Sequence, residues 1–238
     1  MFYTAKDYSG ASAGFDLDME DVMVEKLIGL YPAIDTLVPM LRSFEGVVDC
    51  QVTATCKMDS TMSLELPSLH SACYLHGENM VLLDGETFTE ISKTLMFKNK
   101  KRNVIDSISV DLAIKDNKIE VFPFLVEMDR YKVAVGGTHN LDMTFNYHLS
   151  VLKSPVPFKL GIDITGNLDD FKYKIVKCRY KDLFKPAKEA ELDSTRTNVR
   201  KEIRESIRNQ IKETAPELVS SLSPNHTVTP PEEETNAL

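Results

Sequence analysis

Catalytic signatures are the first thing this sequence lacks. It has no GxSxG, Walker A or GxGxxG sequence and no cluster at metal-ligand spacing. The usual sequence signs of serine hydrolysis, phosphate cradling and metal-assisted chemistry are therefore missing. The five histidines are His70, His76, His139, His148 and His226; no two stand four apart. His148 falls on the polar side of an alternating strand and reads as a solvated residue rather than a base. Gly136-Gly137 follows a strand and reads as a turn or bulge, not a phosphate cradle. "DLDMED" lacks the glycine and terminal glutamate of a calcium loop. No catalytic residue, cofactor or metal is expected.

Cysteine is scarce as well: Cys50, Cys56, Cys73 and Cys178, with no CxxC. Cys50 and Cys56 share one face of one strand, roughly 20 Å apart at about 3.3 Å per residue, and cannot bridge each other. The four read as small buried hydrophobes, with a disulfide involving Cys73 or Cys178 as the alternative. There is no tryptophan. No run of about 18 apolar residues occurs, so no transmembrane helix is expected. The first residues lack a basic segment followed by an apolar one, so no signal peptide is read. The chain is either cytosolic or the C-terminal piece of something longer. A net charge of −8 argues against a nucleic-acid binder, which needs a basic face.

What is present is alternation. The 238 residues are 42% apolar and 27% charged, enough for a sizeable core. In "LDMTFNYHLSV" (141–151), Leu141, Met143, Phe145, Tyr147, Leu149 and Val151 alternate with polar residues, the mark of a strand with one apolar face. The same period governs "VVDCQVTATCKM", "IDSISVDLAI", "IEVFPFLVEM", "YKVAVGG" and "FKLGIDITG". "TMSLEL", "SACYLHGENMVLL" and "FKYKIVKCRY" complete the strands. "DNK" (116–118) and "DR" (129–130) are turn signals. Short turns between successive strands imply an antiparallel meander.

Helical patterns flank and interrupt the strands. One runs from Asp18, as N-cap, to Leu30, and Pro32 ends it. A short second one fits within "AIDTLVPMLRSF". Thr87 and Glu90 form a capping box opening a helix over 88–97, followed by a basic turn at 98–103. A helix over 194–214 has Val199, Ile203, Ile207 and Ile211 as a narrow stripe, flanked by arginines. It reads as a solvated helix docked by that stripe, or a short coiled-coil contact, ahead of a membrane-surface helix. The segment from Ser223 is Pro-rich and acidic and reads as disordered.

The run "DNKIEVFPF", "DRY" at 129–131, Gly137, "YHLSVLKSPVPF" at 147–158 and Gly161 resembles the C-terminal region of the AsmA-like family of bacterial cell-envelope proteins, over roughly residues 20–182. The likeness is greatest to the Bacteroidetes-type branch. That family is related to TamB-like and repeating β-groove lipid-transfer proteins. The resemblance implies a periplasmic, inner-membrane-anchored setting and a non-enzymatic role in outer-membrane biogenesis or phospholipid transport. This chain departs from the family pattern in lacking the N-terminal anchor and most of the usual length.

The expected fold is mainly β (α+β): a long antiparallel meander sheet, curved or groove-shaped, with an N-terminal helix, one inserted helix and a C-terminal helix. The expected layout is a frayed segment 1–17, a β domain 18–182, a linker and helix 183–222, and a disordered tail 223–238. An apolar groove for phospholipid or another envelope lipid would be lined by Val110, Leu112, Phe122, Phe124, Val126, Met143, Phe145, Tyr147, Leu149, Leu160 and Ile162. Its partners would be that lipid and envelope proteins, or an upstream part of the same protein, and no nucleic acid. The alternative is a scaffolding module whose helices at 18–30 and 88–97 fill the same faces. A ligand-binding enzyme is a third reading, without support in the residues.

Overall fold

A computed structural model describes residues 2–7, 10–30, 39–83, 103–128, 130–155, 159–167 and 170–214. In chain order the strands are β1 (Phe2–Asp7), β2 (Gly10–Met23), β3 (Phe44–Glu45), β4 (Val47–Met58), β5 (His70–Leu82), β6 (Asn103–Lys115), β7 (Lys118–Met128), β8 (Tyr131–Asn140), β9 (Phe145–Lys153), β10 (Leu160–Gly166) and β11 (Phe171–Val176). Helix α1 (Val24–Leu30) follows β2, and helix α2 (Pro186–Thr214) follows β11. Short 3-10 turns occupy Pro39–Ser43 and Leu66–Ser68. The inserted helix expected at 88–97, the basic turn over 98–102, and the acidic tail lie outside the described residues.

The strands form one open antiparallel sheet. Ten follow one another as a meander from β1 to β11, and β3 pairs separately with β5. The expected meander is therefore present. Asp116 and Asn117, both at positive φ, close the β6–β7 hairpin, as Asp and Asn tolerate that region. No helix among the described residues is long and apolar enough to cross a membrane.

Five expectations about the elements need correction. The helix from Asp18 is a strand as far as Met23, with Asp18 opposite Gln51 and Met19 opposite Cys50. Phe15, Leu17 and Met19 alternate with Asp16, Asp18 and Glu20. That period-two pattern outweighs the helical one because β4 offers a full ladder of partners. A bulge between Met19 and Val22 shifts the register, and the ladder resumes with Val22 opposite Val48 and Met23 opposite Val47 before α1 begins. The segment expected to fray also supplies β1, which pairs with β2 from Phe2 to Asp7.

"TMSLEL" is not a strand. The Asp59 carboxylate accepts the backbone N–H groups of Thr61 and Ser63, folding the segment into an Asx-type turn. Residues 141–144 are likewise a turn, not the start of β9. The Asp142 carboxylate accepts the Thr144 N–H at 2.9 Å, and Met143 has φ 68°. The C-terminal helix begins at Pro186 rather than near 194, consistent with proline's tolerance in a first helical turn.

Every second side chain shares a face of the sheet, and the two faces differ in chemistry. On one, three apolar clusters follow each other. The first packs Val24 and Leu27 of α1 with Val48, Cys50, Met80, Ile105, Ile108 and Met128. The second joins Ala54, Cys56, Leu69, Ile114 and Ile119, and the third Val133, Val151, Ile162 and Ile164. The opposite face carries Asp16, Gln51, Thr53, Tyr74, Asp111, His148, Ser150 and Asp163.

Candidate functional site

Helix α2 lies over the hydrophilic face. Arg196, Arg200, Arg204 and Arg208 recur four apart, so they share one helix face. Arg200 donates to Asp111 at 2.9 Å, and its guanidinium stands 4.1 Å from the centre of the Tyr74 ring. Arg204 and Arg208 both reach the Asp16 carboxylate, at 3.1 and 2.7 Å from their Nε atoms. Arg196 donates to the Pro123 carbonyl at 3.2 Å. Ile207 is fully buried, so the expected stripe does dock, but the arginines face the sheet beside it. The sequence signal was available in their four-residue period.

The two anchoring carboxylates are shifted in opposite directions. Burial works to raise the Asp16 pKa, but hydrogen bonds from Thr53 and Arg208 and the nearby Arg204 charge hold it below the ordinary value. At Asp111 burial outweighs the attraction of Arg200 and Arg196, and the carboxyl is raised. Between α2 and the β5–β7 end of this face is a cavity of about 420 Å³, lined by Ala113, Phe122, Val199 and Ile203 with His70, Lys115, Lys118, Glu120 and Glu202.

The apolar face is the other candidate. Val110, Phe124 and Val126 pack against the first cluster. Leu112 packs against the second. Phe145, Leu149 and Leu160 border the third, and Ile162 is buried within it. Register explains their gathering: Leu149 lies between Val135 of β8 and Ile162 of β10, and Tyr147 opposite Ile164. All of these except Ile162 remain partly exposed. The Tyr147 hydroxyl hydrogen-bonds His139 Nδ1 at 2.8 Å, and burial pushes the phenol up to about 12.

Two predicted groove residues are displaced. Met143 is in the turn before β9. Phe122 sits at a bulge where β7 slips register against β8 between Val121 and Phe124. An extra residue there switches its side, and it lines the cavity under α2 instead. Gly136-Gly137 is neither turn nor bulge but lies within β8, opposite His148 and Tyr147. The bulge is across the ladder: a Cβ on Gly136 would lie 3.0 Å from Pro123 Cα.

His148 is not solvated. Its side is covered by the chain beyond β11, and it is 2% exposed, with Ser150 at 0%. Nδ1 lies 2.6 Å from Asp163 Oδ1, and Nε2 lies 2.9 Å from Ser150 Oγ. The Arg179 N–H donates to Nε2 at 3.2 Å and the Tyr180 N–H to Ser150 Oγ at 3.0 Å. With Nε2 accepting, the ring proton belongs on Nδ1, donated to Asp163. The order Asp–His–Ser is that of a hydrolase triad. Here the hydroxyl is sealed and already accepts an amide, so the trio clasps residues 179–180 to the sheet. Alternation alone marked these side chains as polar, and only the returning chain makes them buried.

The four cysteines are free thiols. Cys73 is raised well above the ordinary thiol range by the Cys50 thiol beside it and by burial. No group of three or more potential metal ligands occurs among the described residues. Comparison with family models, with curated proteins and with solved structures finds no match to this chain.

Proposed function

We propose that the protein is a non-enzymatic lipid-handling module of the cell envelope, holding acyl chains against the apolar face of its sheet. One observation carries this reading. The long helix α2 covers the hydrophilic face, whereas Val110, Leu112, Phe124, Phe145, Leu149 and Leu160 stay partly exposed on the apolar one. A sheet ordinarily buries its apolar face under its helix. An inverted cover leaves a trough in which each CH₂ removed from water contributes about 0.8 kcal/mol. Binding of this kind needs no reactive side chain.

The resemblance of residues 20–182 to the AsmA-like C-terminal region supports a place in outer-membrane biogenesis or phospholipid transport. A scaffolding module with a closed core is the second reading, favoured by the packing of Val24 and Leu27 of α1 over one end of the apolar face. Lipid extraction and native mass spectrometry of the purified protein separate the two. Co-purifying phospholipid is expected, lost in Leu149→Asp and Phe124→Asp while circular dichroism keeps its β signature. A protein that carries no lipid and binds no fluorescent fatty acid would overturn the trough and leave the scaffold.

A further inference from the structure

Among the described residues, β11 is the last strand of the sheet and pairs only with β10. Half of its backbone N–H and C=O groups therefore point outward, with no strand beside them among the described residues. Lys172 and Lys174 project on the hydrophilic side. Tyr173 and Ile175 project on the apolar side, opposite Ile164 and Ile162. Tyr173 is 50% exposed and Ile175 62%, the highest value among the exposed large hydrophobics of the described residues. Thus the edge presents open hydrogen-bonding groups, two cations on one side and two apolar side chains on the other.

Charge decides what fits. Lysines on an edge strand discourage indiscriminate pairing. Antiparallel self-pairing centred on Tyr173 would set Lys172 against Lys174 twice, and like charges directly opposite are destabilising. The other edge, β1, reads "FYTAKD" and has no carboxylate alternation, so stacking of copies head to tail is not favoured. We propose that β11 is a docking edge for a strand of another protein in which carboxylates alternate with apolar residues. Its carboxylates would stand beside Lys172 and Lys174, and its apolar side chains beside Tyr173 and Ile175. The added strand would lengthen both faces of the sheet, with backbone pairing for affinity and alternation for specificity.

The test uses the full chain and a capped, labelled synthetic peptide of alternating valine and glutamate. Fluorescence anisotropy should report binding, and hydrogen exchange should slow at the amides of 171–176. A valine–lysine peptide should bind about tenfold more weakly or worse. Lys172→Glu with Lys174→Glu should reverse that preference, and Ile175→Asp should weaken both peptides; these exposed sites leave the fold intact by circular dichroism. Equal binding of the two peptides, or protection anywhere but β11, would overturn the proposal. So would dimerisation of the chain through β11 without peptide. The charge-reversal outcome is independent of the acyl-chain trough, because Lys172 and Lys174 lie on the other side of the sheet, opposite Thr165 and Asp163.

Discussion

His148 and Asp163 stand directly opposite each other in β9 and β10, with Nδ1 and Oδ1 2.6 Å apart. Beyond the histidine, Ser150 receives the Tyr180 amide, and the Arg179 guanidinium pairs with the other Asp163 oxygen. This places a polar clasp where the chain leaves the sheet on its way to α2.

Because the clasp satisfies buried donors, removing one member leaves others unpaired. His148→Ala and Ser150→Ala are each expected to lower stability by about 1–3 kcal/mol. Urea unfolding measures this. Hydrogen exchange at 177–181 should rise more than in β4 or β5. Ser150 should remain unlabelled by a fluorophosphonate probe; labelling in the folded protein would assign the trio a catalytic role instead.

Gly161 is required by the same crossing. A methyl group there would lie 2.5 Å from the Lys177 carbonyl oxygen and 2.7 Å from His148 Cε1. Gly161→Ala is expected to destabilise by about 1–3 kcal/mol through overpacking. Gly29, with nothing within 4 Å of such a group, is the control, and Gly29→Ala should leave the thermal midpoint nearly unchanged or raise it.

The docking of α2 should depend on pH through Asp16. Its pKa is lowered in the folded protein, so its contribution to stability is complete above the unfolded value of about 3.9 and is lost as pH falls through the folded one. Asp111 works the other way. With its pKa raised, its ionised form costs stability above the folded value, and that cost fades on acidification. Urea midpoints from about pH 6 down to about pH 3 should fall less steeply in Asp16→Asn than in the parent. At neutral pH the same variant should lose about 1–2 kcal/mol, less than for a fully buried pair, since the carboxylate is partly solvated.

Ile207 is the buried apolar anchor of the helix. Ile207→Ala should cost about 2–4 kcal/mol, whereas Lys201→Ala, exposed on the opposite side, should be near neutral. If the two variants had equal unfolding midpoints, the helix would be resting on its arginines alone.

Most strands from β4 onward were readable because period-two alternation is a local property. β4, β6, β7 and β9 each show it, and the short turns between them leave antiparallel pairing as the simple solution. The misreadings arose where two periods coexist or where pairing decides. Residues 15–23 satisfy both helix and strand patterns, and the β4 ladder selects the strand. Phe122 keeps the alternation of its neighbours in sequence, yet one inserted residue at the bulge sends it to the other side. Met143 continues the apolar rhythm of β9, but the Asp142–Thr144 turn removes it from the strand.

Alternation along the chain dictated strands with one apolar and one polar face, because successive side chains on a pleated backbone point to opposite sides, and the short turns between them dictated antiparallel neighbours. The sequence also determined the narrow stripe and the four-residue arginine period of α2. Only the tertiary structure decided which face the helix covers, since that depends on Asp16, Tyr74 and Asp111 coming together from three strands to meet the arginines. It likewise decided that His148 and Ser150 are buried, because the amides that satisfy them come from residues about thirty positions further along the chain.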